Sequence, residues 1–462
     1  MSLDEPLPGW RPRQLASEGP RYLALVNALE RDIVGGRLSD GDRLPAHRDL
    51  ARELSLSVGT VSKAYREAGH RGIVRAHVGQ GTFIQRRSVA RTRATAAYEP
   101  VNMALNVPAN GNETQILSAL FGEMGGKRDL APLLDYQPHG GNRRHREIIA
   151  ASLCSGPFAV DPACLFLCNG AQHAIDIAVR LVARPGDAIL VDTVTYSGFK
   201  AIAAANNLVL VPVAMDREGT DPDALETASR NYGAKVFYCM PPLQNPTGRT
   251  MGLTRRRRIA EVTDNLDLMV IEDDVHGFFL PDRPLPLTEL IPNRSFYITS
   301  YSKRVGPGFR VGMLMVPPAL IEQTELLLHA SCWYLPPMLS EMAVRLIESR
   351  KLDDLVHVRR QQAIERYRVF SDIFPTAEKL KFPPFYGWLP LPSQWSASAF
   401  ASAARVHGIL VTPPNASMVD DAEPGAIRVC LGGPNGLPEL SSALHTLHEI
   451  ITRPPSNVFS VA

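Results

Sequence analysis

The sequence predicts an α/β protein with a mostly parallel sheet, preceded by a small helical domain. Two observations favour this fold class. Beyond residue 100, short apolar runs alternate with helical stretches, as in strands joined by crossover helices. Before that point helical spacing and tight turns dominate, and the full length of 462 residues suggests two or three domains, each with its own core.

The two parts of the chain also differ in charge. Residues 1–97 contain 16 Lys and Arg against 10 Asp and Glu, a net charge of +6, whereas the remainder contains 33 against 37, a net charge of −4. The N-terminal part is therefore the candidate for binding a polyanion.

Membrane insertion and secretion are not expected. The chain lacks an apolar run of about 18 residues, and its first residues include acidic residues and prolines where a secretory signal would be basic and then apolar. The six cysteines form no CxxC pair and several lie in apolar runs. We therefore expect a cytoplasmic protein with buried, reduced cysteines that form no disulfide and bind no metal.

The N-terminal part is predicted to form three helices and a hairpin. Apolar residues recur every four positions between residues 21 and 36, which indicates an amphipathic helix. Two shorter helices follow at 46–54 and 58–69, with a joint so short that the pair resembles a helix-turn-helix. Ser57 is placed to cap the last helix, and residues 72–84 predict a two-stranded wing.

A flexible linker separates this part from the rest. Residues 85–99 are polar and basic and show no periodicity. We predict a first domain over residues 15–87, a linker over 88–100 and a second domain over 101–462.

The second domain contains runs of continuous apolar residues, which indicate strands covered on both faces. The clearest of these strands lie at residues 188–191, 208–213, 236–239, 268–271 and 311–315. Ligands of such sheets bind beyond the carboxyl ends of the strands, so the loops that follow the strands are where a site is expected.

Lys303 lies between two apolar strand-like runs, in a turn rich in glycine and small hydroxyl residues. A lysine that is desolvated beside an interior site loses its proton and becomes a nucleophile toward an aldehyde, with which it forms a Schiff base. Arg310, on the far side of the turn, is available for a phosphate. A lysine between strands is nevertheless more often a solvated loop residue, so other loops must supply the context.

Three other loops carry matching groups. One carboxylate of the acidic triplet at residues 272–274 could pair with a protonated pyridine nitrogen. Asn245 can donate to a phenolate oxygen, and the helix start at residues 170–172 can bind a phosphate. Each group alone has a structural alternative, since Asn-Pro-Thr-Gly after residue 244 is an ordinary turn.

Three N-terminal runs carry a resemblance to a known family. They are Gly-Arg-Leu-x-x-Gly-Asp-Arg-Leu-Pro-x-x-Arg-Asp-Leu-Ala from Gly36, Thr-Val-Ser-Lys-Ala-Tyr-Arg from Thr60, and Gly-Gln-Gly-Thr-Phe from Gly79. They resemble the winged helix of the GntR family of bacterial regulators, which implies binding to a double-stranded DNA operator. The DNA contacts implied by position are Arg48 to a phosphate, Ser57, Val58, Gly59, Thr60, Ser62 and Lys63 to bases, and His77, Gly79 and Gln80 in the wing.

The sequence departs from that family at Val58 and Gly59, where many relatives place an arginine and a small polar residue. We therefore expect weaker base readout in each half-site.

The motifs around Lys303, taken in order, resemble a fold-type I aminotransferase that uses pyridoxal 5'-phosphate (PLP), over residues 101–452. The run Ser-x-Ser-Lys-x(6)-Arg-x-Gly from Ser300 to Gly312 is the most specific part. By position, the resemblance implies an internal aldimine at Lys303, a bond from Asp273 to the pyridine nitrogen and a bond from Asn245 to the ring oxygen. The other implied cofactor contacts are Tyr196 stacked on the ring, and Arg310, Ser300, Ser302, Gly170, Ala171 and Gln172 at the phosphate.

Three further residues follow from the same resemblance. Arg428 matches an arginine that binds a substrate carboxylate, and Tyr136 matches a tyrosine that reaches the phosphate of the neighbouring subunit, which implies a homodimer. His276 stands near the position where the family usually has a tyrosine, so it is the candidate substitute at the ring oxygen.

A GntR-like domain joined to an aminotransferase-like domain resembles the MocR branch of that family. This implies a homodimeric transcriptional regulator that senses PLP, an amino compound or their adduct through an aldimine at Lys303. Two alternatives stay open: a working aminotransferase with an accessory DNA-binding domain, and a sensor of PLP that needs no amino compound.

Overall fold

The computed structural model describes residues 10–12, 20–34, 37–38, 42–70, 73–77, 81–84, 100–125, 128–420 and 424–453. The chain divides into two compact units, Met1–Ala97 and Tyr98–Ala462. Gly79 and Gln80 of the predicted wing and residues 88–99 of the predicted linker lie outside the described residues.

The first unit is a winged helix-turn-helix, as the sequence predicts. Its helices are α1 Arg21–Val34, α2 His47–Glu53 and α3 Val58–His70, and its strands are β1 Val74–His77 and β2 Gly81–Ile84. The two strands pair antiparallel, with Val74 opposite Ile84. Each helix boundary lies within two residues of its predicted position.

The core of the first unit forms where the apolar face of α1 packs on α3. Leu25 and Leu29 of α1 and Val61 and Ala64 of α3 are all buried in one cluster. Ser57 caps α3, because its Oγ accepts a hydrogen bond from the backbone N of Thr60 at 3.1 Å. The predicted cap is confirmed.

The second unit contains twelve further α-helices among its described residues. They are α4 Glu113–Gly125, α5 Arg143–Leu153, α6 Ala171–Val182, α7 Ser197–Ala205, α8 Pro222–Tyr232, α9 Leu253–Asn265, α10 Leu287–Leu290, α11 Ile321–Ser331, α12 Pro337–Glu348, α13 Lys351–Ile373, α14 Ala397–Val406 and α15 Gly436–Thr452. The strands are β3 Val101–Met103, β4 Leu165–Asn169, β5 Ala188–Asp192, β6 Val209–Val213, β7 Met215–Asp216, β8 Gly219–Thr220, β9 Val236–Cys239, β10 Met269–Asp273, β11 Ser295–Ser300, β12 Val311–Met315, β13 Tyr386–Pro390, β14 Ile409–Val411 and β15 Ala426–Cys430.

Seven strands form the central sheet, in the order β4-β12-β11-β10-β9-β5-β6. Strand β12 runs opposite to the other six, so the sheet is mostly parallel, as predicted. All residues of β9 and β11 are buried, because helices cover both faces. Since parallel strands end at the same edge, the loops after β4, β5, β9, β10 and β11 converge there.

A smaller region at the C-terminal end adds two short strand pairs. Strands β13 and β15 pair antiparallel, and β14 pairs parallel with β3 near the start of the unit. They share a core with α13, α14 and α15. Strand β14 has only three residues, and Asn102, Pro390 and Arg428 interrupt the apolar pattern of the other three, so no continuous apolar run distinguishes these strands in the sequence.

The cysteine prediction is partly wrong. All six cysteines are free and four are buried, but Cys154 and Cys332 are exposed. Both lie at the C-terminal ends of helices, α5 and α11, where the chain leaves the core. In the described part of the chain, no group of metal-ligating side chains is arranged to hold a metal ion, and no helix has the length and apolar character to cross a membrane.

Candidate functional site

A cavity of about 280 Å³ lies at the carboxyl edge of the central sheet. It brings together eleven residues that the sequence analysis singled out, from six separate segments of the chain. They are Ala171, Gln172, Tyr196, Asn245, Asp273, His276, Ser300, Ser302, Lys303, Arg310 and Arg428. Ala104, Leu105 and Asn106, which the sequence analysis did not single out, also line the cavity.

Lys303 lies in the turn between β11 and β12 and is half-buried. Its Nζ donates a hydrogen bond to the carbonyl oxygen of Asn106. Desolvation lowers the pKa of Lys303 to about 8, because a charged ammonium is poorly solvated there. At pH 7 about one tenth of the amine is therefore unprotonated and nucleophilic, far more than for an ordinary lysine.

The acidic triplet at the end of β10, residues 272–274, contributes one carboxylate to the cavity. Glu272 is bound to Arg256 at 3.2 Å, and Asp274 is bound to Arg283 at 3.1 Å, both away from the cavity lining. Asp273 alone lines the cavity. The register of β10 thus places the middle carboxylate of the three, and not the other two, in the cavity wall.

Asp273 is buried, and two donors hold its side chain. Tyr238 on β9 donates its hydroxyl hydrogen to Oδ2 at 2.8 Å, and the backbone N of Val275 donates to Oδ1 at 3.2 Å. Burial raises the pKa of Asp273 to about 7, although these hydrogen bonds oppose the shift. A cationic partner such as a pyridinium N–H would favour the ionised carboxylate.

Arg428 on β15 is a buried guanidinium that contacts neutral acceptors. It donates to Asn245 Oδ1 at 2.6 Å, to Thr412 Oγ1 at 3.1 Å and to the carbonyl oxygen of Ala104 at 3.0 Å. It forms no ion pair with any carboxylate in the described residues. Its positive charge is therefore available to a ligand carboxylate.

The turn before α6 and the turn before β12 form one end of the cavity. Gly170 has φ +82°, and a Cβ there would lie 2.4 Å from Arg310 Nη2, so the close approach of the guanidinium requires glycine. A Cβ at Gly312 would likewise lie 2.4 Å from the backbone of Gly170. Gly170 itself does not line the cavity, whereas its neighbours Ala171 and Gln172 do.

This end of the cavity has the chemistry of an anion site. It combines the N-terminus of α6, the Arg310 guanidinium and the hydroxyls of Ser300 and Ser302. The Oγ of Ser302 is buried and has no hydrogen-bond partner within the described residues. A phosphate oxygen would satisfy that hydroxyl, so the residues present fit a phosphate group.

His276 lines the cavity as a neutral imidazole. Burial, reinforced by the positive charges of Lys303 and Arg428, lowers its pKa well below the ordinary value. Its Nε2 lies 3.1 Å from Asn106 Nδ2, which is a donor, so the ring proton belongs on Nδ1. That Nδ1 is buried, and the backbone of Leu243 is close enough to oppose the fall in the pKa of the ring.

Two tyrosines differ in placement. Tyr196 is half-buried in the cavity wall, and its hydroxyl donates to Gln172 Oε1 at 3.0 Å. Tyr136 lies outside the cavity, 77% exposed, with its ring edge-on to Trp333 at a centroid distance of 4.9 Å. Tyr136 thus does not join the site of its own chain.

The DNA-contact residues predicted in the first unit are mostly exposed. Arg48 on α2 and Ser57, Val58 and Gly59 at the start of α3 face solvent. His77 lies at the end of strand β1, one residue beyond the strand that the sequence predicts.

The other predicted contacts already make bonds within the unit. Thr60 Oγ1 lies 2.8 Å from Ser57 Oγ, and Ser62 Oγ lies 2.9 Å from His47 Nδ1. Lys63 Nζ lies 4.1 Å from the centroid of the Tyr22 ring. Neighbours on α1 and α2 therefore orient Lys63 and Ser62, and the Ser57 cap of α3 orients Thr60.

Two protein families match the chain. The class I and II aminotransferase family matches residues 99–444, and the gntR family of bacterial regulatory proteins matches residues 21–84.

Two relatives match the chain across both of these domains. The chain is 29% identical over 448 residues to the uncharacterized HTH-type transcriptional regulator YdeF of Bacillus subtilis, with 96% of each chain covered. It is 26% identical over 429 residues to the uncharacterized HTH-type transcriptional regulator YdcR of Escherichia coli, with 85% of this chain and 91% of that one covered.

Solved aminotransferases share the fold of the second unit. An archaeal alanine:glyoxylate aminotransferase superposes with a TM-score of 0.70 at 21% identity, covering 76% of this chain and 90% of its own. LysN, the alpha-aminoadipate aminotransferase of Thermus thermophilus, was solved in complex with N-(5'-phosphopyridoxyl)-L-leucine. It superposes with a TM-score of 0.68 at 19% identity, covering 76% of this chain and 92% of its own. The predicted aminotransferase-like fold is confirmed.

Proposed function

The chain belongs to the class I and II aminotransferase family and, with its GntR domain, to the MocR type of transcriptional regulators. We propose that it senses PLP together with an amino compound. In this proposal a cytoplasmic homodimer binds operator DNA through its winged helices. The large domain holds PLP, and an amino compound that reacts there changes DNA binding.

The observation that carries this proposal is the cavity around Lys303. One amine with a lowered pKa, one buried carboxylate and one anion site lie around a common space. PLP supplies an aldehyde that reacts with amines and a ring that withdraws electrons. Lys303 would bind the aldehyde carbon, Asp273 the ring nitrogen, and Ser302 with Arg310 the phosphate.

Polar groups on the opposite side would bind the amino compound. Arg428 offers a guanidinium without a carboxylate partner in the described residues, and Asn245 lies beside it. His276, which lines the same cavity, would take the place of the usual tyrosine near the ring oxygen. To regulate, the amino compound must bind two arrangements of the dimer unequally.

The homodimer is part of the proposal because of Tyr136. Its ring is 77% exposed and reaches no site residue of its own chain. In a dimer it would contact the phosphate in the partner's cavity. The oligomeric state by sedimentation tests this part independently of the cofactor.

One titration separates the proposal from its two rivals. Operator affinity of the full-length protein is measured with PLP alone, with amines alone and with both. We expect the combination to change affinity more than PLP alone. An equal change with PLP alone would favour a sensor of the cofactor itself, whereas steady turnover with an amino donor and a keto acceptor would favour an aminotransferase.

Arg48→Ala should weaken binding to operator and to unrelated DNA by similar factors. Arg48 is exposed on α2, and in a helix-turn-helix the first helix crosses the phosphate backbone. The slope of log affinity against log salt should fall by about 1. Arg52→Ala is the matched control, since Arg52 lies on the same helix but its Nη1 lies 3.7 Å from Asp49. Equal effects of the two variants would argue against a specific phosphate contact at Arg48.

The rate of covalent PLP attachment should rise with pH and level off above pH 8. The pKa of Lys303 is about 8, so the unprotonated fraction grows about tenfold per pH unit below that value and little above it. Stopped-flow absorbance of the cofactor-free protein mixed with PLP measures the rate. A rate that still rises tenfold between pH 8 and pH 9 would indicate an unshifted lysine.

A further inference from the structure

A second cavity, of about 440 Å³, lies beside the Lys303 turn and shares no lining residue with the first. Four arginines line it, from the turn after β11, the loop after β10 and the first part of α13. We call it the arginine cavity and define it by Arg283, Arg304, Arg350 and Arg360. Asp353 is the only acidic residue in its described lining.

Arg304, the residue after Lys303, is a buried cation that pairs with no carboxylate among the described residues. The residue is only 7% exposed, and its Nε is buried with no hydrogen-bond partner in the described chain. Its guanidinium carbon lies 5.4 Å from the ring centroid of Phe278 and 5.5 Å from that of Tyr301, and these ring contacts take the place of an ion pair. A buried guanidinium normally has an anionic partner, because desolvation of the charge is costly.

The other arginines divide into two kinds. Arg283 is bound to Asp274 at 3.1 Å and Arg350 to Asp353 at 2.6 Å, so their charges are compensated. Among the described residues Arg360 makes only a neutral contact, from Nε to the carbonyl oxygen of Phe278 at 2.7 Å. Arg304 and Arg360 therefore both contact Phe278, one at its ring and the other at its backbone, so the two cations lie near each other. Burial and the positive charge of Arg304 both lower the pKa of Arg360.

The rest of the lining is mixed, with Ser152, Cys154 and Ser155 beside an apolar wall. Phe278, Leu280, Pro281, Leu352 and Val356 contribute to the wall. A ligand with an anionic group and a small apolar body therefore matches the cavity better than a bare ion does.

We propose that the arginine cavity binds a small organic oxyanion, a phosphate monoester or a carboxylate, through Arg304 and Arg360. The guanidinium fork suits both kinds of oxyanion, and the ligand would neutralise two cations that otherwise repel each other. This site is separate from the cofactor cavity and does not rest on the proposed function.

The test uses full-length protein carrying Arg310→Gln and Arg428→Gln, which removes the guanidinium groups of the first cavity. Phenyl phosphate and benzoate, which share a ring and differ in the anion, are titrated by calorimetry. We expect one of them to bind, and the one that binds identifies the oxyanion. Inorganic phosphate should bind more weakly, since it lacks the apolar body.

Arg304→Gln and Arg360→Gln, added separately to that background, should each weaken binding by about tenfold or more. Arg350→Gln is the matched control, because its charge is already paired with Asp353, and it should change affinity by less than about threefold. Circular dichroism checks the fold of each variant, and Arg360→Gln decides the question if Arg304→Gln does not fold. Absence of binding by both probes, or unchanged affinity in the folded Arg304 and Arg360 variants, would overturn the proposal.

Discussion

Replacing Lys303 with alanine should abolish covalent retention of PLP. Lys303 is the only lysine in the described lining of the cavity, and its lowered pKa makes it the nucleophile for the cofactor aldehyde. We expect borohydride treatment of wild-type protein with PLP to fix a phosphopyridoxyl group on the peptide that contains Lys303. In Lys303→Ala the adduct should be absent, and the visible absorbance band of bound cofactor should disappear.

A second lysine provides the control. Lys235 is exposed, its Nζ donates to the carbonyl oxygen of Leu266 at 2.7 Å, and it does not line the cavity. Lys235→Ala should retain the adduct. If Lys303→Ala keeps both the adduct and the response of operator binding to ligand, the proposed role of the cavity is wrong. Thermal unfolding separates loss of attachment from loss of fold.

The central sheet could be predicted because its strands are continuous apolar runs. The strand at residues 236–239 has its predicted limits, and Ala188–Asp192 and Val311–Met315 differ from prediction by at most one residue. Both faces of these strands are buried, so the signal does not depend on knowing which face points inward. The winged helix-turn-helix could be predicted for a related reason, since the apolar face of α1 and the Ser57 cap are local patterns.

The site was harder to predict where it depends on register or on distant contacts. Three adjacent carboxylates lie at the end of β10. The family resemblance assigned Asp273 by position, but only the fold gives the physical reason, since Asp273 lines the cavity while its neighbours bind arginines. Tyr238 supports Asp273, yet in the sequence it is one residue of an apolar run and indicates only a core position. Asn106 contacts both Lys303 and His276 across more than 160 residues of chain, and no local pattern signals it.

Arg428→Gln should remove the response to amino acids and leave the response to simple amines. The guanidinium is buried and contacts three neutral acceptors, so in the protein its charge has no carboxylate partner among the described residues. A ligand carboxylate would form a charge-assisted, two-point contact. Loss of one partner of such a buried pair costs about 2 kcal/mol or more, which corresponds to at least about 30-fold in affinity.

The measurement compares a panel of L-amino acids with the amines that lack the carboxylate, by their effect on the absorbance of bound cofactor. Wild-type protein should bind the amino acids more tightly than the amines, and Arg428→Gln should bring the two classes to within about threefold. Arg428→Lys, which keeps the charge but not the planar fork, should fall between them. Equal weakening of both classes would mean that Arg428 does not recognise a carboxylate. Its role would then be to hold Asn245 and the cavity wall in place through its 2.6 Å bond to Asn245.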